Sequence, residues 1–374
     1  MKIVVNTRLL QKDHLEGIGW FTFETFKRIT AQHPEHQFFF LFDRPYSDEF
    51  IFSKNITPLV YGPPARHPIL YYIWFEWVVP KILKKLKADL FISPDGYLSL
   101  SAKTPTLQVV HDINYKHYPL FIPTFARKYL QYYFPRFIKR ANRIATVSEF
   151  SKQDVIKHYG YDESKIDIVY NGANESFGPV STETSEATRK QFSDGKPYFF
   201  YVGSLHPRKN IINLLKAFDL FRKNTGAKIK LVIAGKAYWW NAKMEKDYKN
   251  IIYKEDIIFT GRVDTETLKN LLASSLALTY VSLFEGFGIP LLEAMYSDVP
   301  VITSNTSSMP EVGGNAALYV DPESTDSIAN AMQKIWSDDN LRKSLVENGK
   351  IRRKEFSWDR TAGLLWESIE KTMK

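Results

Sequence analysis

The chain has 374 residues, 44% hydrophobic and 24% charged, which suits two ordinary globular domains and excludes a disordered chain. It has no cysteine, so disulfides, thiolate metal sites and cysteine nucleophiles are excluded. The net charge is +9, with 23 basic against 18 acidic side chains in residues 1–185 and 27 against 23 beyond. That excess is scattered, without a basic tail, and fits nucleic acid, a nucleotide-sugar, a phospholipid surface or a lipid-diphosphate equally well as an anionic partner.

The N-terminus enters an apolar run at once and has no signal-peptide layout. No apolar run reaches the roughly 18 to 20 residues that span a bilayer, so a cytoplasmic protein is expected. Short apolar runs predict strands at Lys2–Val5, Gln37–Phe42, Leu90–Ile92, Thr106–Val110, Ile144–Val147 and Ile166–Val169. A second series follows at Tyr198–Val202, Lys230–Ile233, Ile257–Phe259, Leu276–Val281 and Val299–Ile302. Helix-length stretches separate most of them. Such alternation predicts an α/β chain with two Rossmann-like, doubly wound parallel sheets. The polar stretch Glu175–Lys196 reads as a linker, giving domains 1–185 and 186–355, with a helical pattern over 356–374.

Ligands of open α/β sheets bind beyond the carboxyl ends of the strands, and the short motifs of this chain fall there. Gly17-Ile-Gly19 follows the first strand; it is too short for a dinucleotide fingerprint, because a third glycine is absent. His111-Asp112 ends the strand Thr106–Val110. A lone histidine is more often structural, but this one is expected to face the cleft between two such domains. Gly203-Ser204 ends another strand and leads to Arg208 and Lys209, read here as opening the helix Ile211–Phe218. Two cations at a helix N-terminus suit a diphosphate; the bland reading is a solvated turn. Gly235-Lys236 and Gly261-Arg262-Val263 are further strand–glycine turns. Glu285-Gly-Phe-Gly-Ile-Pro-Leu-Leu-Glu293 sets two carboxylates eight positions apart across a glycine turn. Pro290 fits the first position of the helix that follows, which places Glu293 about two turns in.

This spacing resembles the glutamate pair of family 4 of the retaining glycosyltransferases, which have the GT-B fold. Asp298–Asn305, Met309–Pro322 and Tyr201–Asn210 resemble that family's neighbouring segments. More loosely, so do Gly17–Gly19, Val110–Asp112, Thr146–Ser151 and Val169–Gly172. The resemblance implies that Glu285 faces the hydroxyls of a donor sugar and that Glu293 accepts both ribose hydroxyls. It places the amides of Phe287 and Gly288 near the sugar or diphosphate and counts Ile289 among the donor-binding residues. It assigns Gly203, Ser204, Arg208 and Lys209 to a phosphate loop, with Ser204 standing where many members have a basic residue. Gly235, Lys236, Arg262 and Val263 then approach the nucleotide, and Gly17 and Gly19 the diphosphate and acceptor. His111 binds the transferring sugar or steadies developing charge, and is not a nucleophile. The C-terminal helix is expected to pack back on the first domain.

The implied activity is transfer of a hexose from a nucleoside-diphosphate sugar to a hydroxyl of a growing, lipid-linked surface glycan, with retention. The nucleotide-sugar is a substrate, so no cofactor is expected. No metal is expected either, since Arg208, Lys209 and helix dipoles can stabilise the diphosphate and no Asp-x-Asp triplet occurs. Phe284–Pro290 most resembles the bacterial mannosyltransferases, pointing to GDP-mannose; UDP-glucose and UDP-N-acetylglucosamine are the alternatives. An epimerase or phosphorylase of the same fold is a rival enzyme. A nucleic-acid-binding protein is the rival of another class; no nucleic-acid motif supports it.

Two segments, Tyr71–Lys87 and Arg127–Arg143, are basic and aromatic; the second has six cations, five aromatics and no acid. They fit either attachment to the inner face of an anionic membrane or ordinary amphipathic helices whose aromatics fill the core.

Overall fold

In the computed structural model, residues 1–13, 15–237 and 239–374 are described. They divide into two compact units, Met1–Gly172 with Ser357–Lys374, and Ala173–Phe356.

The first unit holds a seven-stranded parallel sheet: β1 (Lys2–Asn6), β2 (Gln37–Phe42), β3 (Ile56–Val60), β4 (Leu90–Ser93), β5 (Thr106–Val110), β6 (Arg143–Thr146) and β7 (Ile166–Ile168). Its order is β3-β2-β1-β4-β5-β6-β7. The second holds a six-stranded parallel sheet of β8 (Tyr198–Val202), β9 (Lys230–Ala234), β10 (Ile257–Gly261), β11 (Ala277–Tyr280), β12 (Val301–Ser304) and β13 (Ala317–Val320), in the order β10-β9-β8-β11-β12-β13. β1 and β8 each lie inside their sheet. Their continuous apolar sequences (Ile3, Val4 and Val5; Tyr198, Phe199, Phe200 and Tyr201) are buried, as strands covered by helices on both faces require.

Eleven of these strands fall on the expected runs, several with ends shifted by one or two residues. β3 and β13 were not predicted, and both are edge strands. β3 contains Pro58, which pairs in register with Phe40. Proline lacks the ladder N–H and is tolerated at an edge, where it also hides the strand from pattern reading.

The polar segment read as a linker is instead a helix, Thr182–Ser193, capped by Ser181, whose Oγ accepts from Thr184 N at 3.2 Å. Arg189 Nε ties it to Ser274 O at 3.0 Å, so it belongs to the second unit, and the boundary lies near residue 172 rather than 185. Its polarity reflects a mostly exposed helix, not a flexible one.

The chain rejoins the first unit through the helix Trp358–Met373. Thr361 Oγ1 donates to Tyr170 O at 2.6 Å and Ser368 Oγ to Asp167 Oδ2 at 2.7 Å, while Trp358, Leu365 and Ile369 are buried. Among the described residues, no helix is long and apolar enough to cross a membrane.

Both basic aromatic segments are helical, with some aromatics filling the core and others exposed. In the helix Thr124–Arg140, Tyr129, Phe134, Phe137 and Ile138 are buried while Phe125 and Tyr132 are exposed. Lys128, Arg136 and Lys139 are exposed too, but Arg140 is committed to the carbonyls of Ala102 and Thr104, and Arg143 pairs with Asp167 at 3.2 Å. In residues 68–86, Trp74 and Phe75 are buried; Trp77 and Ile69 are each 64% exposed, and Lys81, Lys84 and Lys85 are exposed as well.

Candidate active site

The ends of β8, β9 and β10 are stitched into one layer beyond the second sheet. Gly203 N donates to Ala234 O at 3.0 Å, Gly235 N to Gly261 O at 2.8 Å and Leu205 N to Lys236 O at 3.0 Å. A Cβ on Gly235 would stand 1.8 Å from Gly203 O, so no side chain fits there. Ser204 and Arg262 are exposed on this layer, and Lys236 and Val263 partly so.

Pro207–Lys209 forms a 3-10 turn, and Asn210, at φ 62°, separates it from the helix Ile211–Thr225. Arg208 and Lys209 therefore precede the helix rather than open it, a correction to the sequence reading. Asn210 fixes the turn: its Nδ2 donates to Val281 O at 3.0 Å and Pro322 O at 2.6 Å. This geometry turns both cations toward β11. Lys209 Nζ lies 2.6 Å from Glu285 Oε1 and 2.6 Å from the Tyr280 hydroxyl, and Arg208 NH1 lies 2.9 Å from Glu285 Oε2. Tyr280 in turn donates to Glu285 Oε1 at 3.1 Å.

Glu285 is buried at 7% exposure. Burial by itself would raise its carboxyl pKa; the charges of Arg208 and Lys209 outweigh it and hold the group at about 2. It is a fixed anion at neutral pH, shared between two cations.

The glycine turn is supported from below. Glu285 N donates to Ser307 Oγ at 3.2 Å, and Ser308 Oγ lies 2.9 Å from Glu285 O and 3.0 Å from Phe287 O. Gly288 has φ 103°, where a Cβ would come within 2.5 Å of Met309 Cε. The Phe287 ring is buried edge-on to Phe356, with centroids 5.6 Å apart; only its backbone is left to meet a ligand. The helix begins at Ile289, so Pro290 is its second residue and Glu293 lies a little over one turn in, not two. That short distance keeps Glu293 near the helix's positive end, with the Ile289 N–H at the open terminus.

Among the described residues, the Glu293 carboxylate makes no hydrogen bond or ion pair, while the backbone carbonyl accepts from Ser297 Oγ at 2.9 Å. Burial raises its carboxyl pKa to about 7. The two glutamates, eight positions apart, thus have opposite electrostatics: one is held ionised by paired cations, the other is poised to change state near neutrality.

In the first unit, His111 Nε2 lies 2.9 Å from Pro94 O. A carbonyl only accepts, so Nε2 carries the proton and Nδ1 is the acceptor. Burial lowers this imidazole's pKa and keeps it neutral. Phe21 meets the ring edge-on at 5.0 Å, and Ser151 Oγ donates to His111 O at 2.9 Å. Gly17 and Gly19 begin the helix Gly17–Gln32; Gly17 is open to solvent, whereas Gly19 is buried against Leu9 O and Leu15.

The structure thus brings Arg208, Lys209 and Glu285 into direct contact and sets Gly288, Ile289 and Glu293 on the adjoining helix start. Sequence reading missed Tyr280, Asn210, Ser307 and Ser308. Tyr280 was legible only as the last residue but one of an apolar run; a hydroxyl at a strand end, five residues before the glutamate, was its sole signal.

Two family models match the chain: "Glycosyltransferase Family 4" over residues 16–177 and "Glycosyl transferases group 1" over residues 182–352. The chain is 27% identical to O-antigen chain mannosyltransferase B of Escherichia coli over 371 residues, covering 96% of this chain and 97% of that one. It is 29% identical to O-antigen chain mannosyltransferase RfbU of Salmonella typhimurium over 282 residues, 75% of this chain and 74% of that one. In three dimensions it is similar to HepE of Anabaena in complex with UDP and glucose, with a TM-score of 0.76, 15% identity and 99% of each chain covered. Likeness at that identity speaks for the fold, which is GT-B.

Proposed function

We propose that this chain, which belongs to glycosyltransferase family 4, transfers mannose from GDP-mannose, with retention, to a hydroxyl of a growing lipid-linked glycan. The observation that carries the reading is the Arg208–Lys209–Glu285 cluster beside the glycine turn. Similarity to two O-antigen mannosyltransferases supports the choice of sugar.

Each residue has a task in this reading. Arg208 and Lys209 face the diphosphate, and their charge stabilises it as it leaves, in a reaction that needs no metal ion. Their pairing with Glu285 pre-orients both side chains, so little reorganisation accompanies donor entry. Glu285 accepts from hydroxyls of the sugar, whose transition state gains positive character that a fixed anion favours. The amides of Phe287 and Gly288, with the Ile289 N–H, approach the sugar and diphosphate. Glu293 accepts both ribose hydroxyls; because its pKa lies at about 7, donor binding draws it into the ionised state. Gly203 and Gly235 let the nucleotide approach the backbone, with Ser204, Lys236, Arg262 and Val263 around it. His111 binds the transferring sugar through Nδ1 and is neutral, which suits a hydrogen-bonding role rather than a nucleophilic one. The attacking hydroxyl approaches on the face that the diphosphate leaves, and the departing phosphate oxygen takes its proton.

The aromatic and basic surface of the first unit fits an anionic membrane, where a lipid-linked acceptor would reside. Trp77 and Phe125 are 64% and 75% exposed, and Lys81, Lys84, Lys128, Arg136 and Lys139 are exposed beside them in sequence.

A thermal-shift comparison of GDP-mannose, UDP-glucose and UDP-N-acetylglucosamine tests the donor, because a ligand of the native state raises the melting temperature by mass action. The largest shift is expected with GDP-mannose. A shift confined to the uridine nucleotides would overturn the mannosyl reading and leave the transferase standing.

A further inference from the structure

Away from the residues discussed so far, the first unit assembles two imidazoles around one buried carboxylate. The helix Glu149–Tyr159 carries Asp154 and His158 four residues apart, on one face. The short helix Asn114–His117 delivers His117 to the same place. His117 Nε2 lies 2.8 Å from one Asp154 oxygen and 3.0 Å from the other, and His158 Nε2 lies 3.3 Å from Asp154 Oδ1. The two imidazoles meet edge to face at 5.2 Å, and one ligating atom from each of the three residues lies within 4.8 Å of the others.

We propose that His117, Asp154 and His158 form a binding site for a divalent cation of the zinc class. The chemistry of the set is its first support. A chain without cysteine can hold such an ion only through nitrogen and oxygen, and two histidines with one carboxylate are a competent set that leaves a position for water. Distances are the second. Ligand atoms at 2.0–2.2 Å from a tetrahedral ion lie roughly 3.3 Å from one another, and the separations from Asp154 run from 2.8 Å up to that value. The third support is exposure: Asp154 is buried while both imidazoles reach solvent, so an ion can enter toward an anchored carboxylate. Lys116 and Lys157, the sequence neighbours of His117 and His158, add positive charge near the site but leave the three ligand atoms in place.

The position gives the ion a structural task. His117 closes the short helix that follows His111 by three residues, and the helix bearing Asp154 and His158 also bears Ser151, whose Oγ donates to His111 O. A bound ion would clasp together the two elements that support His111. All three ligands lie in the first unit.

The test uses tag-free, chelator-treated full-length protein titrated with zinc by calorimetry and with cobalt by visible absorption. One equivalent of zinc and the d–d bands of cobalt are expected for the parent, with a rise in melting temperature on adding zinc. His117→Ala and His158→Ala should each weaken zinc binding by roughly 100-fold, and the double variant should lose the cobalt bands. Circular dichroism establishes that the variants are folded. If His117→Ala does not fold, His158→Gln on the exposed helix face carries the same comparison. Equal zinc binding by parent and double variant, or a parent with no cobalt bands, overturns the proposal.

Discussion

The two parallel sheets end in turns that place different groups at their centre. Beyond the second sheet, Arg208, Lys209 and Glu285 form a buried ionic cluster with Tyr280. At the corresponding end of the first, His111 is neutral, fixed by one carbonyl and one aromatic edge. Both sheets share strand direction and burial, so the difference lies in the loops alone. It teaches that a common scaffold can be specialised unit by unit: one set of strand ends holds a carboxylate between two cations beside a glycine turn, while the other sets a neutral imidazole near the separate Arg8–Asp95 and Arg44–Asp43 ion pairs.

The sharpest way to break this comparison is Glu285→Gln. Transfer should fall by roughly 100-fold or more, the scale of a lost transition-state contact. The change has a stability arm as well. The folded pKa of about 2 lies below the usual 4.5, so Glu285 contributes stability that is present above pH 4.5 and lost as pH falls toward 2. The parent should therefore lose a few kcal/mol over that window that the variant does not lose. A folded variant with parental turnover would remove Glu285 from the chemistry.

Next in size are Arg208→Ala and Lys209→Ala. Each should cost about 1.5–3 kcal/mol of nucleotide binding, the usual range for a hydrogen bond to a charged group. The loss should be the same for GDP as for its sugar conjugate. Calorimetry that shows unchanged GDP affinity would separate the charge cluster from phosphate.

The basic aromatic surface proposed to meet a membrane sharpens the comparison in the other direction, because it belongs to the first unit. Replacing Lys128, Arg136 and Lys139 by Ser should weaken sedimentation with anionic vesicles by about 1 kcal/mol per cation, with little change in turnover of a soluble acceptor. Arg140 is left out because its guanidinium holds the carbonyls of Ala102 and Thr104. Equal pelleting of parent and variant at low salt would show that the exposed aromatics serve another purpose.

The smallest effect is expected at Glu293. With a folded pKa of about 7, raised by burial, the parent loses stability as pH rises from about 4.5 through 7, while Glu293→Gln does not. The variant should be more stable than the parent by about 1–3 kcal/mol at pH 8 and equal to it below pH 4.5. It should also bind GDP more weakly. Matching melting temperatures across this range would mean that Glu293 titrates as an ordinary exposed carboxylate.

Much of this was legible in the chain itself. Apolar runs of strand length separated by helical stretches determined two parallel sheets, because a strand covered on both faces must be apolar throughout. Glycines and proline marked the turns beyond those strands, since local backbone geometry requires them. What the local pattern could not carry was decided by tertiary structure. The edge strand β3 hid behind Pro58, and a helix at 182–193 hid behind its polarity. Arg208 and Lys209 were visible as cations, but only the turn fixed by Asn210 aims them at Glu285, 77 and 76 residues away. Tyr280, Ser307 and Ser308 have no signature of their own, because a hydroxyl's role depends on what folding sets against it. The same holds for the opposite states of Glu285 and Glu293: both are glutamate in the sequence, and burial with or without a paired cation makes one a permanent anion and the other a group that titrates near neutrality.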